Sequence, residues 1–483
     1  MLKTHLISSL WIVSVSIGSA FAANPTVTGP VAATTAPGNP AHGYPFFASM
    51  DDIKAHGYVE QEYFYSGTAN RYETPEGASG KVIDGNHKYR TRLLVRRPAD
   101  PKKFNGTVIV EWNNVTSGHD QDIDWYQIHD YLMRSGYVWV GVTAQRVGVE
   151  SLKVWSKDRY GSLDVSADGT ILNDALSYDI FADAGRAARQ PQGVDFLSGL
   201  KPQRVFATGH SQSAVRLATY LNSVHPLDPV FDAVIVHGGG SKIRTDLKIK
   251  VWKLSSETDV VIGQAAARQP DNANFRSWEV AGDSHVDAQF IAVRSKLVAR
   301  DGNPVAPGMT PGQRGGRGGR NGAAPATPAP QVAAGGNACD KPMYSDVPFY
   351  QVMAAALDHL VVWVKDGKAP PSAPPIDVAS MGPPVVIARD ASGNSSGGGI
   401  RLAGIAVPIA VNTGENAGPG FCWLYGSHVD FDQAKLASLY PTHPGYVAAV
   451  REVTEKNLKA GYILRPEADA TIAAAEHSAI GKQ

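Results

Sequence analysis

The stretch Arg204 to Asn222, RVFATGHSQSAVRLATYLN, constrains the fold more than any other part of the chain. Val205, Phe206 and Ala207 form a short apolar run suited to a buried strand, and Ala214, Val215, Leu217, Ala218 and Leu221 recur at helical spacing. Between them, Gly209-His210-Ser211-Gln212-Ser213 leaves room only for a tight turn. A strand that passes straight into a helix through such a turn lifts the serine at its apex above the sheet, where a base can reach its hydroxyl. Ser213 stands where the commonest form of this turn has glycine, a mild departure because both side chains are small.

A pattern this short recurs by accident in a glycine-rich chain. Gly393-Asn394-Ser395-Ser396-Gly397 fits the strict G-x-S-x-G form better, yet no apolar strand precedes it and no helix follows it, so Ser395 reads as part of a solvated loop. Context therefore selects Ser211.

The 483 residues carry 45 Lys plus Arg and 45 Asp plus Glu, so no net field points to nucleic acid or to an anionic membrane. The first residues combine Lys3, an apolar core from Leu6 to Ile17 and the small-x-small triplet Ala20-Phe21-Ala22. They predict a signal peptide over 1–22 and a product that is exported, periplasmic or secreted; a membrane anchor is the alternative, disfavoured by the short, serine-interrupted run. Cys339 and Cys422 fit an oxidising compartment and are read as one disulfide closing a long loop, with two buried free thiols as the alternative. No spacing of cysteines or histidines calls for a metal, and no cofactor is expected.

Along the chain, residues 23–86 read as a loop-rich entry segment of loops and early strands with aromatic punctuation, including Tyr44, Phe46, Phe47, Tyr58, Tyr63, Phe64 and Tyr65. Tyr89 to Val95 alternates like an early antiparallel strand, and Thr107 to Trp112 and Tyr137 to Thr143 like strands covered on both faces, with a helix between them ending at Gly136. Residues 145–174 lack clean periodicity and are open between a lid and a plain loop. A helical segment interrupted at Pro191 leads to the Ser211 turn; Phe231 to Val236, Lys248 to Leu254 and Phe275 to Ala281 supply further strands. Strands alternating with helices predict an α/β architecture with a mostly parallel sheet and helices on both faces, in the order of the α/β-hydrolase fold. The core is expected over 87–300, a low-complexity, disordered insert over 301–338 and the C-terminal part of the same domain over 339–483. The insert carries Arg314, Arg317 and Arg320 among glycines and reads as a solvated linker. Val347 to Val364 and Tyr446 to Gly461 predict two later helices.

A serine hydroxyl needs a base, and the base an orienting carboxylate. On this architecture the order along the chain is serine, acid, histidine. His285, directly after the strand ending near Val280, is the expected base. Asp259 is the expected acid and Glu257 the alternative, both just past Leu254. His237-Gly238-Gly239-Gly240 resembles an oxyanion loop but follows the nucleophile, so it reads as a turn that keeps space near the pocket; His210 reads as structural. The oxyanion donors are expected to be the Gln212 amide, at a helix N-terminus, and Asn114, with Asn113 close behind. Trp112, Trp125 and Tyr126 are either pocket lining or core.

The runs VEWNNVTSGHDQDIDW, GYVWVGVTAQRVGV, FATGHSQSA, SSETDV, EVAGDSHVD and FYQVMAAALDHLVVWVKDG resemble those of a large bacterial alpha/beta hydrolase domain family whose members often carry signal peptides. The resemblance spans nearly the whole chain after the leader, apart from the low-complexity insert. It implies an α/β-hydrolase fold and a site made of Ser211, Asp259 or Glu257, and His285. The expected activity is hydrolysis of a small-molecule or polymeric carboxylic ester through an acyl-enzyme. The alternatives are an amidase or peptidase with the same triad, or a non-catalytic binding protein on the same scaffold. Neither nucleic-acid binding nor stable membrane insertion is expected.

Overall fold

The computed structural model describes residues 24–307 and 339–482; the predicted leader and most of the predicted insert lie outside the described residues. The chain opens with β1 (Thr26–Thr28), β2 (Tyr58–Glu73) and β3 (Lys81–Pro98), followed by β4 (Thr107–Trp112), α1 (Ile123–Arg134) and β5 (Val138–Val142). Then come α2 (Arg146–Trp155), α3 (Lys157–Tyr160), α4 (Ser177–Arg189) and the short β6 (Gln192–Gly193). The centre of the molecule is β7 (Arg204–His210), α5 (Gln212–Thr219), β8 (Ala233–His237), β9 (Lys250–Ser256), α6 (Glu257–Ile262), β10 (Phe275–Val280) and α7 (Ala288–Asp301).

These ten strands form one sheet in the order β10-β9-β8-β7-β4-β5-β3-β2-β1-β6. From β10 to β5 every neighbouring pair is parallel, and β3, β2 and β1 extend the sheet antiparallel. The parallel strands are near-continuous apolar runs because both faces are covered. Consecutive side chains of β4 demonstrate this: Trp112 stacks on Phe181 of α4 at 4.5 Å, while Glu111 accepts the backbone N–H groups of Asp124 and Trp125 at the start of α1. Successive strand residues face opposite ways, so α4 and α1 lie on opposite faces.

In the first half one boundary is corrected and one open reading is resolved. Residues 23–86 hold the early strands β1 and β2 and the start of β3 between loops; β2 and β3 pair from Tyr58↔Pro98 to Glu73↔Lys81, so the expected boundary at 86 falls inside β3. The aromatic residues there are core, Tyr44, Phe46, Tyr63 and Tyr65 being almost wholly buried. Residues 145–174 contain the helices α2 and α3, whose Leu152, Trp155 and Tyr160 are buried. Trp155 stacks on His42 and meets Tyr44 edge-on, which fastens the entry segment to the core.

After the insert, α8 (Phe349–Asp366) packs against α1 and β9. Smaller elements follow: β11 (Val378–Ser380), β12 (Val386–Ile387), α9 (Ala403–Ala406), β13 (Ala410–Thr413), α10 (Cys422–Tyr425), β14 (Ser427–Asp430) and α11 (Gln433–Leu439). The helix predicted over Tyr446 to Gly461 is α12 (His443–Ala460), and the alanine-rich tail that follows forms a further helix, α13 (Arg465–His477), packed against it. Asp301, expected to open the insert, is a buried end to α7 that accepts hydrogen bonds from Tyr44 and the Phe47 amide. Cys339 and Cys422 form a disulfide, as expected. No helix among the described residues is long and apolar enough to cross a membrane.

The Ser395 side chain is not solvated. Its turn is a surface loop with Ala391 and Ser396 exposed, but Ser395 itself is fully buried beside Asn394, whose side chain donates to the Ala410 carbonyl and accepts from the Asn412 amide of β13.

Candidate active site

Parallel strands deliver their carboxyl ends to one edge of the sheet, and ligands of such sheets bind beyond that edge. The register aligns the ends: His210 pairs with His237, His237 with Leu254, and Ser256 with Val280. Ser211, Asp259 and His285 each follow one of these strands by a few residues, so side chains distant in sequence converge.

Ser211 has φ 60° and ψ −117°, a positive φ that side chains other than glycine rarely adopt. Its amide donates to the His237 carbonyl at 2.9 Å, and its carbonyl accepts from Val215 at 3.0 Å. A Cβ on Gly209 would come within 3.2 Å of Ser213 Cβ and 3.4 Å of Trp112 Cβ, which is why this side of the turn stays small. Serine at 213 is accommodated because its Oγ donates to the Asn113 carbonyl at 3.2 Å.

Ser211 Oγ lies 2.8 Å from His285 Nε2, and His285 Nδ1 lies 2.6 Å from Asp259 Oδ1. Asp259 Oδ2 accepts from the backbone N–H and the hydroxyl of Ser256, each at 2.7 Å. Burial pushes the Asp259 carboxyl up, but the imidazole and the two Ser256 donors outweigh it, leaving it below its usual value. The Ser256-x-x-Asp259 spacing is a capping box on α6: the Ser256 hydroxyl also accepts from the Asp259 amide. That spacing is the signal that separates Asp259 from Glu257, since it turns residue 259 back towards the strand end.

Glu257 does not reach His285. Its carboxylate accepts from the amides of Gly282 at 2.8 Å and Gly414 at 2.9 Å, and pairs with Arg389 at 2.6 Å. Burial raises its pKa and Arg389 opposes the rise. It therefore fastens the loop after β10 to the C-terminal part of the domain.

Of the expected oxyanion donors, the Gln212 amide is the first of α5 and has no partner within the helix. The second expectation is corrected. The Asn114 amide is spent on the Gln121 carbonyl at 2.9 Å, and the Asn113 amide on the Val142 carbonyl at 3.2 Å. Asn114 supports the turn instead, its side chain donating to the His210 carbonyl at 2.9 Å.

His210 and His237 lie behind His285. The His210 ring sits 4.3 Å from both the His237 and His285 rings, and burial followed by these neighbours drives its pKa well down, so it is neutral. Gly238 makes room for it: at φ +64°, a Cβ there would meet His210 Nε2 at 3.0 Å. His237 is held by Asp124 at 2.7 Å and stacks on Phe349.

Ser211 and His285 open into a cavity of about 70 Å³. Its walls come from the loop after β4 (Asn114, Thr116, Ser117, Gln121), from α7 (Phe290, Ile291, Arg294) and from the disulfide-anchored segment (Phe421, Leu424, Tyr425). Trp112, Trp125 and Tyr126 belong to the core, not to this lining. Sequence reasoning missed the α7 wall, although Phe290, Ile291 and Arg294 sit at helical spacing just after His285. It also missed the 421–425 wall, for which no local signal exists. No group of three or more His, Cys, Asp or Glu among the described residues is arranged to hold a metal ion.

Residues 27–473 match the model of the alpha/beta hydrolase domain family. The chain belongs to that family. No curated protein matches the chain. Solved structures to which it is similar include Est1E from Butyrivibrio proteoclasticus, at 10% identity over 47% of this chain and 96% of that one, with a TM-score of 0.26. An alpha-beta serine hydrolase homologue from Coxiella burnetii matches at 11% identity over 44% of this chain and 91% of that one, TM-score 0.26. The rice cell wall degrading esterase LipA from Xanthomonas oryzae matches at 13% identity over 40% of this chain and 47% of that one, TM-score 0.22. The fold and the family make this chain a hydrolase.

Proposed function

We propose that the chain is an exported serine hydrolase that cleaves carboxylic esters through an acyl-enzyme at Ser211. The observation that carries this reading is the unbroken hydrogen-bonded run from Ser211 Oγ through His285 to Asp259. His285 Nε2 takes the Ser211 proton as Oγ bonds to the ester carbonyl carbon, giving a tetrahedral oxyanion. Collapse breaks the bond to the alcohol oxygen, which leaves with the proton held by His285. Water then adds to the acyl-enzyme, giving a proton to His285 that returns to Ser211 as the carboxylic acid departs. Asp259 holds the imidazole in the tautomer whose Nε2 can accept, and stabilises it when charged.

The Gln212 amide is one donor to the oxyanion, favoured by the α5 dipole. A second is sought in the loop after β4, at the amides of Val115 or Ser117, which bond to no described residue; Ser117 lines the cavity. Export is supported by the leader pattern in the sequence and by the disulfide. The test is a purified Ser211→Ala protein assayed on short-chain aryl esters and with a fluorophosphonate probe. Wild type turns over the esters and is labelled, and the variant does neither. Equal turnover by the two proteins refutes the assignment, and a folded wild type that is never labelled favours a binding role.

A further inference from the structure

Arg294 stands on the cavity wall that Ser211 and His285 share, and it is held there without being neutralised. Its Nε donates to Gln121 Oε1 at 2.8 Å and one Nη to Asn303 Oδ1 at 3.3 Å, both uncharged acceptors. No described carboxylate lies within ion-pair distance of it. The cavity lining likewise contains no acidic residue. The charge reaches its surroundings: burial raises the phenols of Tyr344 and Tyr425, and Arg294 opposes the rise in both. Tyr425 also lines the cavity, and its hydroxyl bonds to no described residue.

A guanidinium fixed by neutral groups and facing a small site keeps donors in reserve for an anion, and its planar fork matches a carboxylate. We infer that Arg294 is a specificity-determining residue that selects esters carrying a free carboxylate near the scissile bond. A single cation among neutral side chains balances one negative charge, which favours a carboxylate over a doubly charged phosphate. Phe290, Ile291, Phe421 and Leu424 enclose the rest of a short substrate. This inference rests on the ester-hydrolase reading above for its chemistry, but not for its binding.

The test compares the para-nitrophenyl hemiester of glutaric acid with the neutral para-nitrophenyl valerate. Wild type favours the hemiester in kcat/KM, and Arg294→Met lowers the hemiester-to-valerate ratio by about tenfold or more, the loss expected for a hydrogen bond to a charged group. Arg294→Lys recovers part of the ratio, which a merely structural tie to Gln121 would not do. An unchanged ratio in Arg294→Met overturns the inference. Independently, binding of glutaramate, which carries one carboxylate and a neutral amide, to Ser211→Ala protein is measured by calorimetry, and adding Arg294→Met weakens it by about tenfold or more. If wild type hydrolyses neither ester yet glutaramate binds in an Arg294-dependent way, the ester reading fails and this site stands. Binding that ignores Arg294 overturns the site.

Discussion

Two buried carboxylates two residues apart, Asp259 and Glu257, separate chemistry from scaffolding when each is replaced by its amide. In Asp259→Asn, the Ser256 N–H and hydroxyl, both donors to Asp259 Oδ2, retain the amide oxygen. The amide NH2 then faces His285 Nδ1, which must present a lone pair, so the ring proton moves to Nε2. That tautomer cannot accept the Ser211 proton. The expected loss in kcat is about ten-thousandfold, or about 5 kcal/mol of barrier, with little change in melting temperature.

In Glu257→Gln the relay is untouched, but one of the two amides, Gly282 or Gly414, faces an NH2, and Arg389 loses its buried partner. Breaking such a pair costs about 3 to 5 kcal/mol, so melting falls by several degrees while kcat per folded molecule drops by about tenfold at most. Continuous aryl-ester hydrolysis and thermal melts on the same preparations read both effects. The reasoning is refuted if Glu257→Gln loses activity thousands-fold at unchanged melting temperature while Asp259→Asn keeps more than about a tenth of it.

Ser395→Ala, at the better match to the motif, leaves ester hydrolysis unchanged and melting equal or higher, because the buried Ser395 hydroxyl has no partner to lose. Replacing both Cys339 and Cys422 by serine opens a loop spanning 83 residues. Chain entropy puts the cost at about 4 to 5 kcal/mol. Since Phe421, Leu424 and Tyr425 line the cavity, KM also rises, read by calorimetry and steady-state kinetics. Burial holds the His225 imidazole down at about 4, below its ordinary value. Between pH 6.5 and 4 the unfolded chain binds the extra proton and the folded one does not, so this group's contribution is lost as pH falls through that window, by about 2 to 3 kcal/mol. His225→Gln therefore flattens the acid-side decline in melting temperature, and an unchanged decline refutes the assignment.

What the sequence disclosed followed from locality. Ser211, Asp259 and His285 each sit within a few residues of a strand that apolar runs announce, so their convergence follows from parallel strands sharing one edge. Of the β2–β3 hairpin only Tyr89 to Val95 was legible, because Gly67 and Gly85 and the partly exposed polar residues around them look like loop until the partner strand is known. Ser395 misled for the opposite reason, since its burial accompanies Asn394 reaching β13, a contact no local pattern encodes. The Asn114 amide was committed by its pairing with Gln121 across a short loop. Turn-level pairings of that kind decide which backbone donors stay spare.

The chain after the insert completes the hydrolase core and does not merely extend it. Ile400 bridges to Val280 at the β10 edge, accepting from Ala281 at 3.1 Å and donating to Glu279 at 2.7 Å, so the edge strand's carboxyl end is paired. Arg389 and Gly414 satisfy Glu257 under the loop that bears His285, and Phe421 to Tyr425 wall the cavity. Without residues 339–482, Glu257 would be a buried charge stripped of its cation, and that unpaired charge would be expelled from the core by rearranging the segment that positions the base. His285 is held in place by residues more than a hundred positions downstream of it, which is why Ser211, Asp259 and His285 could be placed from strand ends while the cavity they open into could not.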